Sequence, residues 1–267
     1  MRPAGLAALA LAVAGLGCAS GETGGELVRF TAFASGIAGA DGPMTFQTGL
    51  GYQVNLTEAR MHVGAVYLRL GQANPGSANA SCVGDTTYGL QVPGPVDVDL
   101  LSGAPQAFSF PGSATTNPDQ SGEVWLTEGD VNQTASTTVI VSVAGTASQA
   151  GTDYPFTSTV TIGTNRLVPP ANPAAPGTNP ICKQRIVAPI PVAVVPAPGG
   201  HLLLEVNPAL WFQDVDFSTL LPGPDGSTLV IPDTSTGSGP DIPAARAFFM
   251  AITSASSDIY RFSWITP

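Results

Sequence analysis

Short segments rich in Val, Thr, Ile and aromatic residues recur along this chain, and each is bounded by Gly, Pro, Asn or Asp. The segments favour extended backbone and the bounding residues favour turns. Such alternation is typical of a β-sandwich or barrel. We therefore predict an all-β fold, an antiparallel Ig-like or jelly-roll-like β-sandwich with long Pro/Gly-rich loops and one or two short helices. The predicted strands are 27–34, 52–70, 86–92, 96–100, 107–110, 123–127, 137–146, 154–162, 184–195, 201–206 and 259–265.

Side-chain alternation within the predicted strands indicates which face is buried. In the segment 157–162, Ser158, Val160 and Ile162 fall on one side and three threonines on the other. Successive side chains of a strand point to opposite faces of its sheet, so the apolar side is the core face. The chain carries 31 glycines and 25 prolines, which together stay below the roughly 25–30% that marks a low-complexity chain. A packed domain is therefore expected.

Proline and capping residues predict where the sheets end and where helices form. The segment 186–196 contains three prolines and is expected at a sheet edge, because proline cannot donate to a strand ladder. Asn207 followed by Pro208 predicts a single helical turn over 207–212, and Asp241 with Pro243 predicts a helix over 241–252. The Gly/Ser/Pro-rich stretch 221–240 is expected to be a long loop.

The first residues predict export. Arg2 precedes the apolar run 4–16, whose 13 residues are too few for the about 20 that cross a bilayer as a helix. The stretch Gly15-Leu16-Gly17-Cys18 resembles the lipobox of bacterial lipoproteins. The resemblance implies lipidation of Cys18, palmitate included, and an anchored position in the bacterial envelope, on the periplasmic or surface face of the outer membrane. We predict a signal peptide over 1–17, a tether over 18–25 and a single domain over 26–267.

The remaining cysteines agree with an exported chain. With Cys18 acylated, Cys82 and Cys182 form an even pair in an oxidising compartment, where a disulfide is the default outcome. The bridge would close a loop of about 100 residues, for which the chain-entropy model gives roughly 4 to 5 kcal/mol. Neither cysteine belongs to a Cys-x-x-Cys pair, so a metal site on these thiols is disfavoured.

Charge and motif content exclude several functions. The net charge is −10, so a phosphate backbone would be repelled and nucleic acid is excluded as a partner. The chain contains no Gly-x-Ser-x-Gly, His-Glu-x-x-His or Walker A signature, and its one lysine, Lys183, has no serine three residues before it. Arg166, Lys183 and Arg185 are expected to form structural salt bridges. The sequence therefore predicts a protein that is not an enzyme and has no resident cofactor.

Two histidines supply the sharper of two metal hypotheses. His62 lies inside an apolar predicted strand and His201 begins another, so adjacent strands would bring the imidazoles together. A β-rich exported chain with two isolated histidines and several tryptophans is similar to the bacterial surface copper-binding proteins, and the resemblance implies copper as the metal. The strand argument, not the resemblance, selects His62 and His201 as its ligands. The competing interpretation is that both are hydrogen-bonded structural residues. The closely spaced acids are weak calcium candidates or a solvated face: Asp97 with Asp99, Glu128 with Asp130, and Asp214 with Asp216.

Three functions remain open from the sequence. The first is an exported, lipid-anchored protein with a binding or envelope-structural role, whose partners are the membrane, through its lipid, and a protein or small-molecule ligand. The second is a copper or other metal-binding lipoprotein that uses His62 and His201. The third is a carbohydrate-active or other hydrolase, which would need a Ser-His-Asp triad or an acidic pair that no local pattern selects.

Overall fold

The computed structural model describes residues 25–71, 88–133, 135–163, 181–233 and 242–267. Within these ranges the chain forms seventeen strands, two α-helices and two short 3-10 helices, and the strands assemble into three sheets. Nearly all neighbouring strands are antiparallel; the parallel pairs among the described residues are two. The predicted all-β sandwich class is confirmed.

The first sheet has six strands and is antiparallel throughout. From edge to edge its order is β1 (Leu27–Phe30), β9 (Gly112–Thr115), β6 (Tyr88–Val92), β5 (Ala65–Arg69), β10 (Asp119–Trp125) and β13 (Ile186–Val194).

The second sheet has seven strands, of which β7 (Val96–Asp99) pairs with β4 (Gln53–Val63) beside the main path. The order along that path is β15 (Leu221–Pro222), β16 (Leu229–Val230), β12 (Thr152–Thr161), β11 (Val139–Gln149), β4 (Gln53–Val63) and β3 (Met44–Gln47). The third sheet has four strands, in the order β17 (Tyr260–Ile265), β14 (His201–Val206), β2 (Ala32–Ser35) and β8 (Gln106–Ala107).

The helices are few and short, as predicted. The α-helices are α1 (Cys182–Arg185) and α2 (Pro243–Ile252), and the 3-10 helices span Pro208–Phe212 and Phe217–Thr219. The side chain of Asn207 accepts a hydrogen bond from the Ala209 amide, which confirms its predicted capping role. No helix among the described residues is long and apolar enough to cross a membrane.

One hydrophobic cluster joins the three sheets. Leu56 of β4, Leu68 of β5 and Leu204 of β14 come from different sheets, belong to this cluster and are fully buried. Burying a leucine side chain contributes roughly 1.5–3 kcal/mol, so this shared core is the main source of cohesion between the sheets. Ser158, Val160 and Ile162 are buried, and the core face predicted for this segment is confirmed.

Two predicted strands are divided between sheets, which corrects the sequence analysis. The segment 27–34 contains β1 and β2, and the segment 52–70 contains β4 and β5. In each case the chain leaves one sheet and enters another after a single residue, Thr31 or Gly64. Periodicity did not indicate these breaks because both halves are apolar on the core side. The expected strand 107–110 was also wrong, since β8 ends at Ala107.

Candidate functional site

His62 lies near the end of β4, directly across from Asp97 of β7 in the antiparallel register. The register also places Arg60 across from Asp99, so two neighbouring cross-strand pairs combine a basic or imidazole side chain with a carboxylate. Opposite-charge pairs across a ladder are stabilising. The His62 Nδ1 and the Asp97 Oδ1 are 2.7 Å apart, which is a short, well-formed hydrogen bond.

Glu128 reaches the other side of the same imidazole because of the crossing at Gly64. The Gly64 amide donates to the Trp125 carbonyl at 2.8 Å, and a Cβ at this position would come within 2.1 Å of the Thr127 carbonyl oxygen. Only glycine permits this close approach of backbone to backbone. The approach holds residues 125–128 against the end of β4, and the Glu128 Oε1 lies 3.4 Å from the His62 Nε2.

The imidazole is buried between two exposed carboxylates. The His62 side chain is 9% exposed, whereas those of Asp97 and Glu128 are 89% and 59% exposed. Nδ1 is bonded to Asp97, but Nε2 is buried and makes no hydrogen bond. A buried ring nitrogen without a hydrogen bond is costly unless it has another use. The arrangement can therefore accept a proton or a cation at Nε2.

A cleft lies farther along the surface of β4 and β7. Its volume is about 330 Å³. Both strands contribute to its walls, and so do the loops that follow β2 and β7. The lining residues are Asp41, Gly42, Pro43, Thr57, Glu58, Arg60, Asp99, Leu101 and Ser102. Three carboxylates and one guanidinium give the cleft an acidic, mixed-charge lining, and we call it the acidic cleft.

Arg185 fixes the loop that follows Glu128. Its guanidinium is fully buried and donates to the carbonyls of Ile162, Val131 and Gln133 at distances from 2.6 to 3.1 Å. Burial lowers the pKa of Arg185, and the charge of Asp130 opposes that shift. The predicted salt bridge is replaced by these carbonyl contacts, because the side chain points inward to the ends of a loop and a strand.

A second polar cluster lies on β5, β6 and β10, and no local sequence pattern connects its members. Glu123 is buried and forms an ion pair with Arg69. Its Oε2 accepts hydrogen bonds from the Tyr88 hydroxyl at 3.3 Å and from the Trp125 indole at 3.1 Å. Tyr67 packs against both aromatic rings, and burial, together with the Glu123 charge, raises the pKa of Tyr67. Arg69, Tyr88 and Trp125 all bind the Glu123 carboxylate, which indicates a structural role for the cluster.

The two histidines predicted to share a metal lie in different sheets. β4 neighbours β3, β11 and β7, whereas β14 neighbours β17 and β2, so the adjacent strands that the hypothesis required are not observed. His201 packs edge-on against Phe33, with ring centroids 5.3 Å apart. Among the described residues, no group of three or more His, Cys, Asp or Glu side chains is arranged to hold a metal ion.

The predicted cysteine sites lie largely outside the described residues. Cys18, the predicted lipidation site, and Cys82, one half of the predicted disulfide, belong to the parts that are not described. Cys182 begins α1 and is fully buried beside Val131 and Ile186. Both the lipid anchor and the bridge therefore stay predictions.

The members of the His62 site are recognisable in the sequence, but their association is not. Asp97 and Glu128 stood out as members of closely spaced acid pairs, and His62 as an imidazole in an apolar strand. The three residues are far apart in the sequence. Asp97 reaches His62 because β7 pairs with β4, and Glu128 reaches it because the Gly64 crossing holds the end of β10 against β4.

Comparison with known proteins identifies no family for this chain. No protein-family model matches it, and no curated protein matches it. Among solved structures, the chain is similar to MbnP from Methylosinus trichosporium at 13% identity and a TM-score of 0.39, covering 90% of this chain and 99% of that one. A likeness this distant carries no argument about function.

Proposed function

We propose that this chain is an exported, lipid-anchored protein of a bacterial envelope that binds a small cationic ligand and does not catalyse a reaction. The observation that carries the proposal is the outer face of β4 and β7, where the buried imidazole of His62 and the acidic cleft lie on the same two strands. On a chain with only 10% charged residues, this gathering of polar groups supports a binding role.

The electrostatics of this face favour a cation. The net charge of −10 attracts cations over the whole surface, and the acidic cleft adds Asp41, Glu58 and Asp99 against one arginine. The environment of His62 supports binding over hydrolysis: in a Ser-His-Asp triad the Nε2 faces a hydroxyl nucleophile, whereas here it faces the carboxylate of Glu128.

Thermal unfolding with added ligands tests the binding role. The purified chain is melted with a panel of small cations, namely divalent metal ions, polyamines and short cationic peptides. We expect at least one class to raise the melting temperature, because a ligand that binds only the folded state stabilises it. The double variant Glu58→Gln/Asp99→Asn is expected to reduce that shift, and the exposed pair Glu26→Gln/Asp258→Asn is the matched control.

The proposal fails if no member of the panel raises the melting temperature, or if the control pair reduces the shift as much as the cleft pair does. Cell fractionation tests the anchor separately. We expect the chain in the membrane fraction and the Cys18→Ser variant in the soluble fraction, and equal distribution of the two would contradict lipidation at Cys18.

A further inference from the structure

We propose that His62 and Glu128 form a binding site for a divalent transition-metal ion, of the Zn²⁺ or Cu²⁺ class, with Asp97 as the residue that positions the imidazole. The inference rests on the proposed function, since it names the ligand class for one part of the β4 and β7 face. In place of His201, the residues next to the His62 imidazole are Asp97 at Nδ1 and Glu128 at Nε2.

Asp97 selects the form of the imidazole that binds metals. At 2.7 Å its carboxylate accepts the proton of Nδ1, which leaves the lone pair of a neutral ring on Nε2. A histidine ligand that donates its other N–H to a carboxylate is the usual arrangement around protein-bound zinc, where the carboxylate fixes the tautomer and makes the ring more basic. The unbonded Nε2 is thus the donor atom.

The separation of the two donor atoms fits a metal ion between them. Zinc binds imidazole nitrogen and carboxylate oxygen at roughly 2.0–2.2 Å, and two such donors at a tetrahedral angle are about 3.4 Å apart. The Nε2 of His62 and the Oε1 of Glu128 are 3.4 Å apart. Glu128 is more than half exposed, so water can occupy the other positions. The described residues supply no group of three or more such ligands, so the site has two protein donors, and water would complete the coordination.

The donor set selects the class of metal. Imidazole nitrogen suits Zn²⁺, Cu²⁺ and Ni²⁺, whereas Ca²⁺ and Mg²⁺ prefer all-oxygen sites. The site is also the one place where the acids of the β4 and β7 face meet a histidine among the described residues. A transition-metal ion is therefore expected to bind here in preference to the hard cations.

The competing explanation is an imidazolium ion held between two carboxylates, with a proton on both ring nitrogens. Nitrogen–proton correlation NMR of the histidine rings, recorded with and without zinc chloride, separates the two. We expect the His62 Nε2 signal to shift when zinc is added to the parent and to shift less in Glu128→Gln. An Nε2 signal that zinc leaves unchanged in the parent would overturn the proposal.

Calorimetric titration of the tag-free, full chain with zinc chloride tests the ligand set. We expect one site, with affinity reduced about a hundredfold in His62→Gln, at least about tenfold in Glu128→Gln and about 10–100-fold in Asp97→Asn. His201→Gln is the matched control and should bind like the parent. Calcium chloride should give no saturable heat at His62. Thermal unfolding of each variant without metal confirms that it is folded.

The outcomes are separable from those of the proposed function. Parent-like zinc binding in His62→Gln or Glu128→Gln overturns the inference, and equal losses in His62→Gln and His201→Gln would restore the two-histidine site in its place. If zinc does not bind while another cation still raises the melting temperature through the acidic cleft, the metal site is wrong and the binding role stands.

Discussion

Asp119, the first residue of β10, carries an unusual electrostatic cost. It is 1% exposed, and neither carboxylate oxygen has a hydrogen-bond partner. The carboxylate lies against Gly89, where an added Cβ would come within 2.2 Å of it. Burial raises the pKa of Asp119 from its ordinary value of 3.8 to about 7. The folded chain therefore holds this proton more tightly than the unfolded chain does.

The contribution of Asp119 to the free energy of unfolding is fully present below pH 3.8 and is lost as the pH rises to about 7. The reason is that the unfolded chain releases its Asp119 proton at a lower pH than the folded chain does. In Asp119→Asn this dependence disappears. We expect the stability of the variant relative to the parent to increase by up to about 4 kcal/mol between acidic and neutral pH.

Urea unfolding at several pH values measures this difference. The exposed Asp258→Asn is the matched control, and its stability should follow that of the parent at every pH. A constant difference between Asp119→Asn and the parent across the range would contradict the assignment.

Arg185 is the buried cation that organises the loop beside the candidate site. Replacing it by methionine keeps the apolar stem but leaves the carbonyls of Ile162, Val131 and Gln133 without their donors. The carbonyls of Ile162 and Val131 are buried, and each buried carbonyl left unsatisfied costs roughly 1–3 kcal/mol. We expect Arg185→Met to lower the free energy of unfolding by about 3 kcal/mol or more, measured by chemical denaturation. Arg29→Met, at an exposed position, should change it by less than about 0.5 kcal/mol.

At the scale of elements, the crossing from β4 to β5 decides where the candidate site forms. The two strands belong to different sheets and are separated by Gly64 alone. The hydrogen bond from Gly64 to Trp125 ties the crossing to the end of β10. This one residue thus joins two sheets and sets the distance between His62 and Glu128.

Gly64→Ala tests the role of the crossing. The added Cβ would collide with the Thr127 carbonyl, and backbone cannot yield as a side-chain tip can. We expect a loss of about 2 kcal/mol or more in stability, together with weaker zinc binding, because Glu128 would move with Thr127. Gly71→Ala, where nothing lies within 4 Å of the added Cβ, is the control and should leave both quantities unchanged.

The edge position of β13 and the cap formed by Asp216 both follow from the residue types at these places. The proline-rich strand β13 lies at the edge of the six-stranded sheet, as its sequence predicts. Trp211 and Phe217 are fully buried, and Asp216 caps the 3-10 helix Phe217–Thr219 by accepting a hydrogen bond from the Ser218 amide. The Tyr52 hydroxyl donates to the same carboxylate at 2.6 Å, and these hydrogen bonds lower the pKa of Asp216.

At the scale of the whole molecule, the predicted bridge between Cys82 and Cys182 concerns global stability. Cys182 is buried in a small cluster with Val131 and Ile186, next to Arg185. A bridge there would restrain the unfolded chain over a loop of about 100 residues. The double variant Cys82→Ser/Cys182→Ser is expected to lose roughly 2–5 kcal/mol relative to the parent.

Thiol counting by mass spectrometry and denaturant unfolding check this prediction together. Cys18→Ser is the control, since it removes the lipid site and leaves the bridge intact. Free thiols at both Cys82 and Cys182 in the exported protein, or a double variant as stable as the parent, would contradict it.

Several features were predictable because they depend on neighbours along the chain. The two-residue period placed Ser158, Val160 and Ile162 in the core, and the Asn207–Pro208 pair placed a helical turn. Backbone geometry and turn chemistry act over a few residues, so a local pattern contains the information they need. The all-β class follows from the same local patterns repeated along the chain.

Strand order and the partners of His62 depended on contacts between segments far apart in the chain. In the sequence, two apolar strands separated by one residue cannot be told from one long strand. Only the tertiary structure shows that the chain passes from one sheet to another at Gly64. The same long-range contacts place Asp97 and Glu128 next to His62, where the sequence had suggested His201. Side-chain periodicity defines the face of a strand, but pairing is chosen by the burial of the whole core, which no short window of sequence contains.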